Sequence, residues 1–117
     1  MIRRPGSSSL MAVTATALAL LSQSAAGAGD VARGQALFAV CSTCHGQNAE
    51  GMQEMNGPAL AGREVWYLVR QLENFKTGVR GAHPDDVYGR QMAPMAQLLA
   101  DAQAIQDVAA YLNSLGH

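Results

Sequence analysis

Two cysteines are present in 117 residues, and both fall within five consecutive positions, Cys41-Ser42-Thr43-Cys44-His45. A CxxC pair admits three chemistries: a redox disulfide, half of a zinc site, or thioether attachment of a haem. A thioredoxin-like site needs its pair at a strand-to-helix junction, and no alternating run precedes Cys41. A structural zinc needs four ligands, yet beyond His45 only His83 and His117 remain and no further cysteine exists. The histidine directly after the second cysteine decides among them. Two thiols add across the porphyrin vinyl groups, and the adjacent imidazole is delivered to the iron. One covalent haem c on Cys41 and Cys44, with His45 as an axial iron ligand, is therefore the expected cofactor.

The start of the chain reads as an export signal. Arg3 and Arg4 precede an apolar stretch from Leu10 to Leu21, and Ser24-Ala25-Ala26-Gly27-Ala28 supplies small residues. Twelve residues fall well short of the roughly 20 that a spanning helix needs. Residues 1–28 are expected to be a cleaved secretory signal peptide, cut after Ala26 or Ala28, and residues 29–117 a single domain in the periplasm that does not span the membrane. Without Arg3 and Arg4, six basic residues face nine acids, a formal charge of −3. That balance gives no support to nucleic-acid binding, which shows as a basic patch or stripe. It suits a soluble protein that meets redox partners transiently. A domain of about ninety residues buries a modest share of its surface. One Trp, three Tyr and two Phe do little to fill a core, so a large planar cofactor is expected in its middle.

The remaining pattern is helical. Asp30 is placed to cap a first helix carrying Val31, Leu37 and Phe38, which runs into the cysteine motif. Residues 46–62, with several glycines and Pro58, read as a loop along one edge of the cofactor. From Glu64 to Thr77, Val65, Leu68, Val69, Leu72 and Phe75 recur at helical spacing before Gly78. Residues 78–91 read as a second loop, broken by glycine, Pro84 and the Asp85-Asp86 pair. A last helix from about Asp101 to Leu115 carries Ile105, Val108, Ala109, Leu112 and Leu115 on one face. No strand or repeat is evident, so the fold class is all-α. Glu50, Glu54, Asp85 and Asp86 read as solvated loop charges.

An open sixth site would bind gases or peroxide, whereas a second protein ligand makes an electron carrier. Outside the signal peptide the thioethers are Met52, Met55, Met92 and Met95, with His83 a further possibility. Met52 and Met55 lie too near the cysteine turn for the chain to cross easily to the opposite haem face. Met92 and Met95 remain the serious pair.

Taken together, Gly34-x-x-x-Phe38, CSTCHG, Gly57-Pro58-Ala59-Leu60, Tyr67-Leu68-Val69-Arg70-Gln71-Leu72, Met92-Ala93-Pro94-Met95 and Asp107-Val108-Ala109-Ala110-Tyr111-Leu112 resemble the class I c-type cytochromes. The likeness is to small periplasmic monohaem proteins and single domains of dihaem ones. It implies three to four helices around the haem, with the first and last crossing near Gly34, Phe38 and Tyr111. It also implies the Pro58 carbonyl against the free imidazole N–H of His45. In the resembling domains the second ligand stands about two helical turns before the acidic start of the last helix, a register that picks Met92 and leaves Met95 as the alternative. One departure is Ala100, where the family carries Ser or Thr before the acid Asp101.

The resemblance implies a non-enzymatic one-electron carrier between redox enzymes or respiratory complexes. The alternatives are a haem subunit of a dehydrogenase complex and, if the sixth site is open, a ligand-binding or peroxidatic haem protein.

Overall fold

A computed structural model describes residues 1, 2, 6, 11 and 27–116. The apolar stretch of the expected signal peptide apart from Met11, its cleavage point at Ala26 and His117 lie outside the described residues. Among the described residues, helix α1 spans Val31–Phe38, α2 Ser42–His45, α3 Val65–Thr77, α4 Val87–Ala96 and α5 Ala102–Ser114. A single 3-10 turn occupies Gln53–Met55. The fold is all-α, as the periodicity predicts: the described residues hold no strand, only an isolated antiparallel bridge between Met52 and Gly57. Four helices run eight residues or longer, and α2 adds a single turn. No helix among the described residues is long and apolar enough to cross a membrane.

Local chemistry accounts for the helix ends. Asp30 caps α1 through Oδ1, which accepts the Arg33 N–H at 3.0 Å. Asp101 caps α5 by accepting the Ala104 N–H at 2.8 Å. Each such cap contributes about 1 kcal/mol. Asp101 therefore does the work expected of the missing Ser or Thr. Helix α3 ends at Gly78, in the left-handed conformation at φ 78°.

Helix α4 corrects the loop reading of residues 78–91, whose last five residues are helical. Asp86, expected to be a solvated charge, accepts the Gly89 N–H at 2.9 Å and starts the helix. The same residue that interrupts a pattern thus caps one. Pro94 lies inside α4, where its missing N–H forfeits one bond of the helical ladder. The segment is held instead from outside. Gln97 Nε2 donates to the Lys76 carbonyl at 2.9 Å, and Lys76 Nζ donates to the Leu99 carbonyl, tying the chain after α4 to the end of α3.

The core lies between α1, α3 and α5, around Phe38, Leu68, Leu99, Ile105, Val108 and Leu112, each no more than 5% exposed. At the α1–α5 crossing a Cβ on Gly34 would lie 1.9 Å from the Asp107 carbonyl oxygen, so only glycine permits that approach. Beside it Phe38 and Tyr111 pack with ring centroids 5.5 Å apart. The crossing also buries a carboxylate. Asp107 accepts the Asp30 N–H at 2.8 Å, Arg33 Nη1 at 2.7 Å and Gln103 Nε2 at 2.9 Å. The Asp30 backbone bond, then Gln103 and the Arg33 charge, hold its carboxyl below the usual carboxylate range despite burial.

A folded pKa below the unfolded value of about 3.9 means that ionised Asp107 favours folding above that pH. That stability is lost as pH falls through the lowered folded value. Denaturant titrations are expected to show wild-type stability declining below about pH 4, and Asp107→Asn to be less stable at neutral pH with a flatter acid limb. Parallel acid limbs in the two proteins would contradict this.

Candidate haem-binding site

Backbone hydrogen bonds carry the chain from α1 into the cysteine motif. Cys41 N–H donates to the Phe38 carbonyl at 2.8 Å, and His45 N–H to the Cys41 carbonyl at 3.1 Å. One helical turn therefore sets residues i, i+3 and i+4 on a common face, and Cys41, Cys44 and His45 all line one cavity of about 500 Å³. Burial pushes the Cys41 thiol above its ordinary pKa.

His45 is 7% exposed, and its Nδ1 lies 2.8 Å from the Pro58 carbonyl oxygen. A carbonyl only accepts, so Nδ1 carries the proton and Nε2 keeps the lone pair that a metal requires. Gly57 makes this bond possible: a Cβ there would stand 1.7 Å from the Cys44 carbonyl oxygen. The loop over residues 46–62 closes on the motif through Gly51 N–H to the His45 carbonyl at 2.7 Å and the Met52–Gly57 bridge.

Helix α4 brings both Met92 and Met95 to the cavity, three positions apart and therefore on one side of the helix. Leu68, Leu72, Phe75, Leu99, Val108 and Leu112 supply apolar walls from α3, α5 and the turn before α5. Met55, Tyr67 and Tyr88 also line it; Met52, Trp66 and His83 do not. The His83 ring instead accepts the Asp85 N–H at 3.1 Å in an exposed turn. A broader groove of about 630 Å³ between α3 and α5 carries Glu64, Trp66, Arg70 and Glu73, but none of the cysteine, histidine or methionine side chains that a haem iron or its attachment would use.

The donor set fits a haem. Two thiols, an imidazole with a free Nε2 and three thioethers, those of Met55, Met92 and Met95, face a mostly apolar space within the usual range for cofactor sites, about 300–1,000 Å³. Comparison with known proteins agrees. The family model for cytochrome c matches residues 31–116.

The chain belongs to the class I c-type cytochromes. It is 38% identical over 89 residues to cytochrome c4 of Stutzerimonas stutzeri, covering 74% of this chain and 41% of that protein. Cytochrome c-554(548) of Halomonas halodenitrificans is 34% identical over 87 residues, covering 74% of this chain and 98% of its own. A thiosulfate dehydrogenase electron acceptor of Stutzerimonas stutzeri is 35% identical over 108 residues, covering 91% and 46%. Among solved structures, reduced recombinant cytochrome c4 from Pseudomonas stutzeri matches with a TM-score of 0.59 and 35% identity, over 74% of this chain and 46% of that one. The chain thus spans about two fifths of the length of the cytochrome c4 relative. As a cytochrome c it carries one covalent haem c on the Cys41/Cys44 pair.

Sequence reasoning missed three polar residues of this cytochrome. Arg63, Gln71 and Arg80 line the cavity; Gln71 lies within the Tyr67–Leu72 run, but neither arginine stands in a motif that marks it. It also missed the buried ion pair of Asp107, the first residue of the Asp107–Leu112 run that carries the family resemblance.

Proposed function

We propose that this cytochrome is a one-electron carrier whose haem iron is held between His45 Nε2 and Met92 Sδ. We read residues 1–28 as its export signal, the periplasm as its place and its contacts with redox partners as transient. The observation that carries this reading is the His45–Pro58 bond of 2.8 Å, on a side chain that shares its cavity with Met92 and Met95. Bound haem supplies reversible one-electron chemistry, and a thioether ligand favours its ferrous form.

The chain's own residues serve that chemistry by holding still. Pro58 fixes the His45 ring and raises its basicity as a ligand. The apolar walls exclude water. The lining carboxylate, Asp86, accepts the Gly89 N–H at the start of α4, whereas the His45 Nδ1 is bonded to the Pro58 carbonyl. Val40 and Met55, at 45% and 44% exposure, line the cavity beside the attachment turn and give its mouth an apolar rim. Such a rim suits the small interfaces of short-lived electron-transfer encounters, below roughly 1,200 Å². Met95 then packs against the cofactor, a role its soft thioether fills well.

The relative described as the electron acceptor of thiosulfate dehydrogenase favours a second reading, in which this cytochrome serves one enzyme as a bound subunit. Copurification from the native periplasm separates the two: a free carrier elutes alone, and a subunit elutes with its enzyme.

The deciding test is spectroelectrochemistry of the matured protein together with carbon monoxide addition to its reduced form. A carrier is expected to titrate as one reversible one-electron couple and to leave carbon monoxide unbound. Ready binding of carbon monoxide would overturn the carrier reading in favour of a gas-binding or peroxidatic haem protein.

A further inference from the structure

Lys76 is the chain's one lysine, and it stands at the seam between α3 and the segment that leaves α4. Phe75, the residue before it, is buried on the cavity wall. Lys76 is half-buried and reaches the other way, its Nζ donating to the Leu99 carbonyl. The contact is reciprocal, since Gln97 Nε2 donates to the Lys76 carbonyl at 2.9 Å. No carboxylate claims the ammonium: among the described residues the ion pairs are Arg33–Asp107 and His83–Asp85. A charged donor makes a stronger bond to a carbonyl than a neutral one does.

This tie falls where α4 has the least support of its own. The start of α4 is held twice. Asp86 caps it through the Gly89 N–H at 2.9 Å, and the turn before it is pressed onto it, since a Cβ on Gly81 would stand 2.5 Å from the Gly89 carbonyl oxygen. The far half carries Pro94, which has no N–H to offer the Arg90 carbonyl. Beyond Ala96 the chain closes in short turns, Leu98 N–H donating to the Met95 carbonyl at 3.1 Å and Leu99 N–H to the Ala96 carbonyl at 3.2 Å. Met92 and Met95 therefore stand between a start pinned locally and an end pinned to α3, where Ala96 and Leu99 are buried.

We infer that the reciprocal tie between Lys76 and residues 97–99 is a latch that keeps the Met92 thioether on the iron, with Lys76 and Gln97 as positioning residues. The inference rests on the His45/Met92 reading of the site. Neither Lys76 nor Gln97 lines the cavity, so each acts through the segment it holds. An iron–thioether bond opens when the segment carrying the sulfur moves away, and an external ligand binds at a rate set by the population of that opened state. Removing a charged donor from a part-buried carbonyl raises this population about tenfold or more.

The test uses covalently loaded, oxidised protein with cyanide as the external ligand, after attachment has been verified by intact mass and the near-infrared thioether-to-iron band recorded. Cyanide-binding rates are compared for wild type, Lys76→Met, Lys76→Arg and Gln97→Ala. Band and far-ultraviolet circular dichroism are then followed together through a denaturant titration. Lys76→Met, which keeps the length but has no donor, is expected to bind cyanide about tenfold faster or more and to lose its band before its helices. Lys76→Arg keeps a charged donor and is expected near wild type, with Gln97→Ala between the two. A wild-type cyanide rate in Lys76→Met overturns the latch, as does a band that disappears only together with the helices, the mark of a merely structural role. If Lys76→Met does not load haem, Gln97→Ala decides by the same two readings. A wild-type protein without the band would overturn the His/Met reading and this inference together, whereas a band equally resistant in wild type and variants overturns the inference alone.

Discussion

Met92→Ala is expected to abolish the near-infrared thioether-to-iron band of the oxidised protein and to let carbon monoxide bind the reduced form. Axial ligands move haem potentials over a range of roughly 0.8 V, and loss of the thioether is expected to lower the potential by a sizeable part of that range. The variant should still carry its haem, because Cys41, Cys44 and His45 lie on another part of the chain. Met95→Ala is the matched comparison. Both side chains are half-buried and line the same cavity from one helix, so both truncations remove similar packing. Met95→Ala is expected to keep the band and to lose up to about 2 kcal/mol of stability. The opposite pattern, with the band lost only in Met95→Ala, would transfer the ligand role to Met95.

Gly34→Ala is expected to have the largest effect on stability. Its new methyl group would meet the Asp107 carbonyl oxygen at 1.9 Å and Tyr111 Cβ at 2.8 Å. The first is backbone in the middle of α5, which cannot swing aside as a long side chain can, so α1 must lift away. Lifting it stretches the bonds from Asp107 to the Asp30 N–H and to Arg33, and separates Phe38 from Tyr111. Overpacking of this kind costs about 3 kcal/mol. For a domain of this size that corresponds to a fall in Tm of roughly 10–20 °C. Thermal melts of loaded protein would read it directly, and a variant melting within a few degrees of wild type would show that the crossing has slack. The oxidised spectrum should change little, because the cavity is built mainly from other elements.

The elements that were legible beforehand are those whose signal is local. Asp30 and Asp101 announce helix starts because a cap acts on N–H groups within three residues. The apolar spacing over residues 65–77 and 102–114 reads as helix because one turn brings positions i and i+4 together. Helix α4 was not legible, since Gly89, Pro94 and paired aspartates weaken its intrinsic preference. What holds it is the Asp86 cap together with the Lys76 and Gln97 ties to α3, and the ties join residues more than twenty positions apart.

The same division runs through the site. Five contiguous residues determine the attachment chemistry, because two thiols and an imidazole at spacings i, i+3 and i+4 share a helical face in whatever fold surrounds them. Composition adds that the domain is mildly acidic and poor in aromatic side chains to fill a core. Only the tertiary structure decided that Arg80 faces the cavity stacked on Phe75, that Asp107 lies buried against Arg33 from 74 positions away, and that Gly57 lets the Pro58 carbonyl reach His45. Each of these depends on how separate segments dock. A single sequence encodes such docking in the shape and packing of whole surfaces, not in the identity or spacing of any one residue.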